Sequence, residues 1–152
     1  MDNARIREAV KAYMAESPSG RDSPKARYKY GDMEDWDLAG VYDLSYLFEG
    51  KAQFNVGIGR WNVAGVRTMA FMFHGCAAFR GAGLGAWQTG AVEDMRFMFY
   101  GCGAFRGWDL CAGLGGWDTC AVEPGKEHRL EGQAWWVQAN ANRSVPPPHI
   151  LK

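Results

Sequence analysis

Residues 66–81 read VRTMAFMFHGCAAFRG, and residues 92–107 read VEDMRFMFYGCGAFRG. Eleven of the sixteen positions are identical, at an offset of 26 residues. A weaker copy, VYDLSYLFEGKAQFNV, begins at Val41. Self-similarity at a fixed period of this length is the mark of a tandem-repeat protein. The flanking tryptophans Trp36, Trp61, Trp87 and Trp117 are spaced 25, 26 and 30 residues apart. The third unit is longer because it carries GWDLCAGLGG at 107–116, and a fourth opens as WDTCAV at 117–122. WD dipeptides at 36–37, 108–109 and 117–118 do not make a propeller, whose blades need ~40–45 residues and four strands.

Within a unit, Val66, Met69, Met72 and Phe73 lie at i, i+3, i+6 and i+7. Val92, Met95, Met98 and Phe99 repeat the spacing, as do Val41, Leu44, Leu47 and Phe48. This spacing predicts a two-turn helix in each unit. Gly50, Gly75 and Gly101 follow, where a left-handed residue would stop the helix. Phe54, Phe79 and Phe105 come next, and a glycine-rich return leads to Ile58, Leu84 or Leu114, read as a short strand. Such a unit is too small to bury its own apolar face, and stacking several makes a continuous core. The expected fold is therefore α/β: a short leucine-rich-repeat-like solenoid of three to four units of 25–30 residues.

Composition agrees with a core built from large side chains. Seven Trp, seven Met and eight Phe stand in a chain of 152 residues with 20 Gly. The predicted core ladder is Trp36, Trp61, Trp87, Trp117, Val41, Val66, Val92, Met69, Met95, Met72, Met98, Phe48, Phe73, Phe99, Phe54, Phe79 and Phe105. Ile6, Ala9, Val10, Tyr13 and Met14 mark one face of an amphipathic helix over about 3–15, with Asn3 as its N-cap. Three segments follow: a helical cap at 1–35, repeats at 36–122, and a C-terminal tail at 123–152 read as flexible. Deleting residues 1–30 would then bare Val41, Leu44 and Leu47.

The repeat pattern resembles the BspA-like surface-protein repeats of leucine-rich-repeat type, also called the mycoplasma-type DUF285 repeat. That unit reads W-D-x-S-x-V-x-x-M-x-x-M-F-x-G-x-x-x-F-N. WDLAGVYDLSYLFEGKAQFN (36–55), WNVAGVRTMAFMFHGCAAF (61–79) and WQTGAVEDMRFMFYGCGAF (87–105) match it. YGDMEDW at 30–36 looks like an entry cap. Ala39, Ala64 and Gly90 replace the usual Ser, and residues 123–152 match nothing in the pattern. The resemblance implies a cell-surface or secreted protein that binds other proteins and has no enzymatic activity of its own. An intracellular scaffold repeat, or a fragment of a longer array, is the alternative.

The remaining residues point to no chemistry. Lys+Arg and Asp+Glu are 17 each, so the net charge of zero argues against an electrostatic hold on nucleic acid or an anionic membrane. There is no apolar run long enough to span a membrane, and no secretory signal is visible, so the compartment stays open. Cys76, Cys102, Cys111 and Cys120 show no zinc spacing. Cys76 and Cys102 share one repeat position, so they should lie one layer apart; they read as two free buried thiols, with a disulfide as the alternative. His74 aligns with Tyr100 and Glu49, a solvated rim position. The tryptophans read as core, with a sugar- or base-stacking surface as the alternative. GAGLGAW at 81–87 lacks a phosphate-binding fingerprint. Arg21, Lys25, Arg27 and Lys29 read as a solvated loop. Pro146-Pro147-Pro148 reads as part of a flexible end, with a polyproline ligand as the alternative. No catalytic residue, metal or cofactor is expected, and the expected partner is a protein.

Overall fold

A computed structural model describes residues 1–105 and Trp117. The insertion at 107–116 with Trp108, Cys111 and Leu114, the rest of the fourth unit with Cys120, and the tail with His128, His149 and Pro146–Pro148 lie outside the described residues.

Two helices open the chain: α1 (Asn3–Glu16) and α2 (Pro24–Tyr30). Asp2, not Asn3, caps α1; its carboxylate accepts from Arg5 N at 2.7 Å. Glu16 at the end of α1 accepts from Lys25 N and Ala26 N, covering the free amides at the start of α2, where Pro24 needs no partner. Ile6, Ala9, Val10 and Tyr13 are buried, and Tyr13 meets Trp36 edge-on at 5.4 Å.

The expected α/β leucine-rich-repeat-like solenoid does not form. Among the described residues there is no β-strand, and no unit contains the two-turn helix. Residues 70–75 and their equivalents 45–50 and 96–101 are a run of turns, entered by a short extended stretch. The return past Ile58 is irregular, and at Leu84–Ala86 it is a single 3-10 turn, like Met33–Asp35 before the first unit. The reason lies in where the backbone N–H groups go. Leu47, Glu49 and Lys51 donate three residues back within the unit, to Leu44, Tyr46 and Phe48. Leu44, Tyr46, Phe48 and Gly50 donate instead to Thr68, Ala70, Met72 and His74 of the next unit, at 2.7–3.0 Å. Met69, Phe71, Phe73 and Gly75 donate in turn to Asp94, Arg96, Met98 and Tyr100. Alternate amides are thus exported, which an α-helix cannot do. Tyr46, Phe71 and Phe97 are left-handed (φ 59°, 58° and 53°), which interrupts any strand. What remains of a sheet between the units is single parallel bridges joining Asp43, Thr68 and Asp94. The apolar spacing suits this curled backbone as well as a helix, because both return Val66, Met69, Met72 and Phe73 to one side. Gly50, Gly75 and Gly101 are left-handed, closing turns and not helices.

The units stack in register. Trp36, Trp61, Trp87 and Trp117 are buried one above another, with centroids 5.9, 6.5 and 6.2 Å apart and planes within 18°. Each later indole N–H donates to a carbonyl behind it: Trp61 to Met33, Trp87 to Ile58 and Trp117 to Leu84. Phe48, Phe73 and Phe99 form a second column at 5.7 and 5.6 Å. Phe54, Phe79 and Phe105 form a third at 5.5 and 6.4 Å. Val41, Val66, Val92, Met69, Met72, Met95 and Met98 fill the space between, all buried. Backbones touch where the returns cross: a Cβ on Gly59 would stand 2.5 Å from Gly83 O.

Helix α1 closes the first layer by imitating the layer that is not there. Inside the stack, Arg67 N donates to Tyr42 O and Glu93 N to Arg67 O. At the first layer the same amide position, Tyr42 N with Asp43 N beside it, finds Asn3 Oδ1 at 3.1 Å. Thr68 O and Ala70 O accept from backbone amides of the layer before. Their first-layer equivalents, Asp43 O and Ser45 O, accept from the two terminal nitrogens of Arg7 at 3.2 and 2.8 Å. Asn3 and Arg7 are four residues apart on one helix face, so one face supplies both acceptor and donors.

Arg7→Met should therefore lower stability by about 1–2 kcal/mol, the size of a pair of partly exposed charge-assisted bonds. Arg7→Lys should recover only part, since one ammonium cannot replace a fork. Urea denaturation measures both; a midpoint for Arg7→Met equal to wild type would remove the layer-capping role.

Candidate functional site

Between the core anchors of each unit sits one more aromatic residue: Tyr46 in S-Y-L-F, Phe71 in A-F-M-F and Phe97 in R-F-M-F. These are the non-glycine residues with positive φ among the described part of the chain. A left-handed backbone costs a side-chain-bearing residue about 1–2 kcal/mol, and for a bulky one it is an outlier. Three such residues at one repeat position mean that the conformation is built in. Its effect is to send the ring outward while the residue two before it and the residue after it, Leu44 and Leu47, Met69 and Met72, Met95 and Met98, are buried. Tyr46 is 50% and Phe97 49% exposed, and Phe71 is half-buried between them.

The three rings form a row on the outside of the stack. Tyr46 and Phe71 are 4.9 Å apart with planes 7° from parallel, and Phe71 and Phe97 are 5.1 Å apart at 28°. A second column runs beside it: Glu49, His74 and Tyr100. His74 stacks on Tyr100 at 5.2 Å, and its Nδ1 stands 3.6 Å from the Glu49 carboxylate. Phe71 contacts His74 at 5.4 Å and Phe97 meets Tyr100 edge-on at 5.9 Å. Tyr100 is 42% exposed. The surface is therefore apolar and aromatic, with one carboxylate and one imidazole at its rim. Contiguous exposed apolar surface of this kind marks sites of interaction.

The sequence reading did not single out Tyr46, Phe71 and Phe97. A repeated aromatic beside Met and Phe reads as core, and spacing does not report the sign of φ. The signal present was the position itself: an aromatic with a core anchor directly after it and another two residues before. Of the residues it did single out, the tryptophans are internal, with their faces covered by each other, and the Met and Phe columns lie inside with them. His74 sits on the rim. Cys76 and Cys102 are free and buried, and each Sγ lies 2.9 Å from a carbonyl of the layer before, Phe48 O and Phe73 O. Burial pushes the Cys76 thiol up to about 12 and also raises Cys102. A hollow of about 400 Å³ beside α2 is lined by Arg21, Arg27, Asp32, Glu34, Asp35 and Arg60. Its charges are already engaged: Arg27 with Asp32, Arg60 with Glu34 and Asp35, Arg21 with Asn55 O. Among the described residues no three His, Cys, Asp or Glu side chains converge as a metal site, and no helix is long and apolar enough to cross a membrane.

These features define a tandem-repeat protein with a turn-built, aromatic-columned core and an exposed aromatic row. The family described as "Mycoplasma protein of unknown function, DUF285" matches residues 22–128, and the chain belongs to it. No curated protein and no solved structure matches the chain.

Phe97→Asn should change stability by no more than about 1 kcal/mol, because the lost stacking is offset by a residue that tolerates left-handed backbone. Phe99→Ala, two residues on and buried, should cost about 3–5 kcal/mol. Denaturant midpoints of the pair test the inside–outside assignment, and equal losses would overturn it. The cysteines add a pH term. Their folded values lie above the ordinary 9.0, so their stabilisation is full below that pH and is lost as pH rises through 9 toward 12. Cys76→Ser with Cys102→Ser should flatten the fall in urea midpoint between neutral pH and about pH 10.5. An unchanged slope would show that the thiols are not buried as described.

Proposed function

We propose that the chain is a non-enzymatic protein-binding repeat module, and that the row Tyr46–Phe71–Phe97 is its contact surface. The observation that carries this reading is the left-handed backbone held at three successive aromatic residues. Strain repeated to keep an apolar ring in water is accounted for by a use of that ring outside the fold. The stacked geometry favours a protein ligand. Where the rings stack, their faces are turned to one another, leaving edges toward solvent along the row and a free face only at its ends. Aromatic edges carry partial positive charge and meet aromatic faces or carbonyl oxygens, both of which proteins present. A sugar stacked on a ring needs a free face. The rim fits a non-enzymatic role: the Glu49 and His74 side chains are both partly open to solvent, and the two described thiols are buried.

Selection of a displayed protein-domain library on the intact chain tests this. Binders should be retained by wild type and lost at least about tenfold on a Phe71→Asn/Phe97→Asn variant, the effect of removing two aromatic anchors. Binders indifferent to that change would refute the row as the contact surface. Retention of glycans in place of proteins would move the site to carbohydrate binding.

A further inference from the structure

The first layer offers an outside chain most of what the second layer offers the first. Each unit in the stack receives its neighbour in four ways: two amide bonds near the start of the turn, two near its end, a stacked aromatic, and a contact in the column of residue 49. Arg7 occupies the first pair at Asp43 O and Ser45 O. The second pair is Leu47 O and Glu49 O. Their equivalents Met72 O and His74 O accept from Phe48 N and Gly50 N, and Met98 O and Tyr100 O accept from Phe73 N and Gly75 N. Among the described residues no donor reaches Leu47 O or Glu49 O. Lys11, the next residue on the Asn3–Arg7 face of α1, is exposed and bonds to neither. Beside these carbonyls stands Tyr46, half exposed, whose one ring partner among the described residues is Phe71. Glu49 follows, its carboxylate 42% exposed and 3.6 Å from His74.

We infer that this edge takes an extended peptide segment of a partner protein as an added part-layer. The register is that of the stack itself. An aromatic residue j of the partner stacks on the open face of Tyr46, as Tyr46 does on Phe71. The amides of residues j+2 and j+4 donate to Leu47 O and Glu49 O, as those of Phe48 and Gly50 do to Met72 O and His74 O. Residue j+3 comes to lie over Glu49, and a lysine or arginine there complements the carboxylate. The recognised motif is aromatic-x-x-basic with two unencumbered amides. Main-chain bonds supply the hold and alternate side chains the selectivity, as in strand addition to a sheet edge. The inference rests on the aromatic row being a binding surface and adds the end at which binding starts.

The probe is the acetylated, amidated peptide Arg-Thr-Met-Ala-Phe-Met-Phe-Lys-Gly, the 67–75 stretch with lysine in place of histidine. Titrated into the full chain and followed by backbone amide NMR, it should saturate and shift residues 45–50. Tyr46→Asn should weaken it by about fivefold to tenfold, one aromatic pair. N-methylation of the peptide's second Phe and of its Gly should weaken it at least about tenfold, two backbone bonds. Lysine to glutamate in the peptide should cost about threefold. Tyr28→Ser, at an exposed aromatic of α2 outside the row, should leave it unchanged. No saturable binding at millimolar peptide, or equal binding of the N-methylated peptide, overturns the inference. Loss with Phe97→Asn but not with Tyr46→Asn overturns the edge while leaving the row as a binding surface, whose own failure is read from the library selection. Concentration-dependent association of the chain, abolished by Tyr46→Asn in light scattering, would make the occupant a second copy and overturn the partner peptide.

Discussion

The first two repeats depend on the division of their backbone amides. Alternate N–H groups close turns inside the unit, and the others cross to the next layer at 2.7–3.0 Å. Neither set alone would hold. The turns by themselves are three-residue closures with no helical continuation, and the exported bonds have no meaning without a neighbour. This is why the columns of Trp and Phe matter. They set the layers about 6 Å apart at the ring centroids and bring the exported amides within reach of carbonyls. Apolar burial supplies the drive, and the bonds fix the register.

The same arithmetic makes the end of the stack a problem. A terminal layer leaves donors and acceptors unmatched, and buried unmatched groups cost more than a bond returns. Helix α1 answers this with two side chains and not with a copy of the repeat. Asn3 stands in for a carbonyl and Arg7 for two amides, while Ile6, Val10 and Tyr13 cover the apolar side. A helix and a turn layer have different backbone geometry, so the imitation reaches only as far as those side chains. The carbonyls of Leu47 and Glu49 lie beyond it.

The left-handed aromatic residues join architecture to function. A residue in this conformation reverses the side-chain direction within the turn without breaking the export of its own amide: Tyr46 N and Phe71 N still donate to the next layer. Glycine or asparagine would hold the backbone with less strain. An aromatic in its place supplies an outward column that the core does not need. Membership of the family fixes the repeat and leaves its use open, and this column is the feature of the described surface from which a use can be argued.

Much of this architecture is legible in the sequence. Identical residues at 66–81 and 92–107 demand equivalent environments, and Trp36, Trp61, Trp87 and Trp117 at near-constant spacing demand a stack. Ile6, Ala9, Val10 and Tyr13 announced the helix that packs against it. Apolar spacing, however, reports only which residues face inward. Val66, Met69, Met72 and Phe73 turn inward from a two-turn helix and from a chain of turns alike, so the helix expected from them does not form, nor does the strand expected from the glycine-rich return. The choice between those backbones is made by amide partners in another unit, 24 or 25 residues away, which no local pattern carries. The sign of φ at Tyr46, Phe71 and Phe97 belongs to the same class, and with it the outward face of the molecule. Sequence determined the repeat, its period and its buried set, because these follow from which side chains avoid water. Tertiary structure alone decided the path of the backbone and the exposed row, because these follow from bonds between layers that exist only once the layers are stacked.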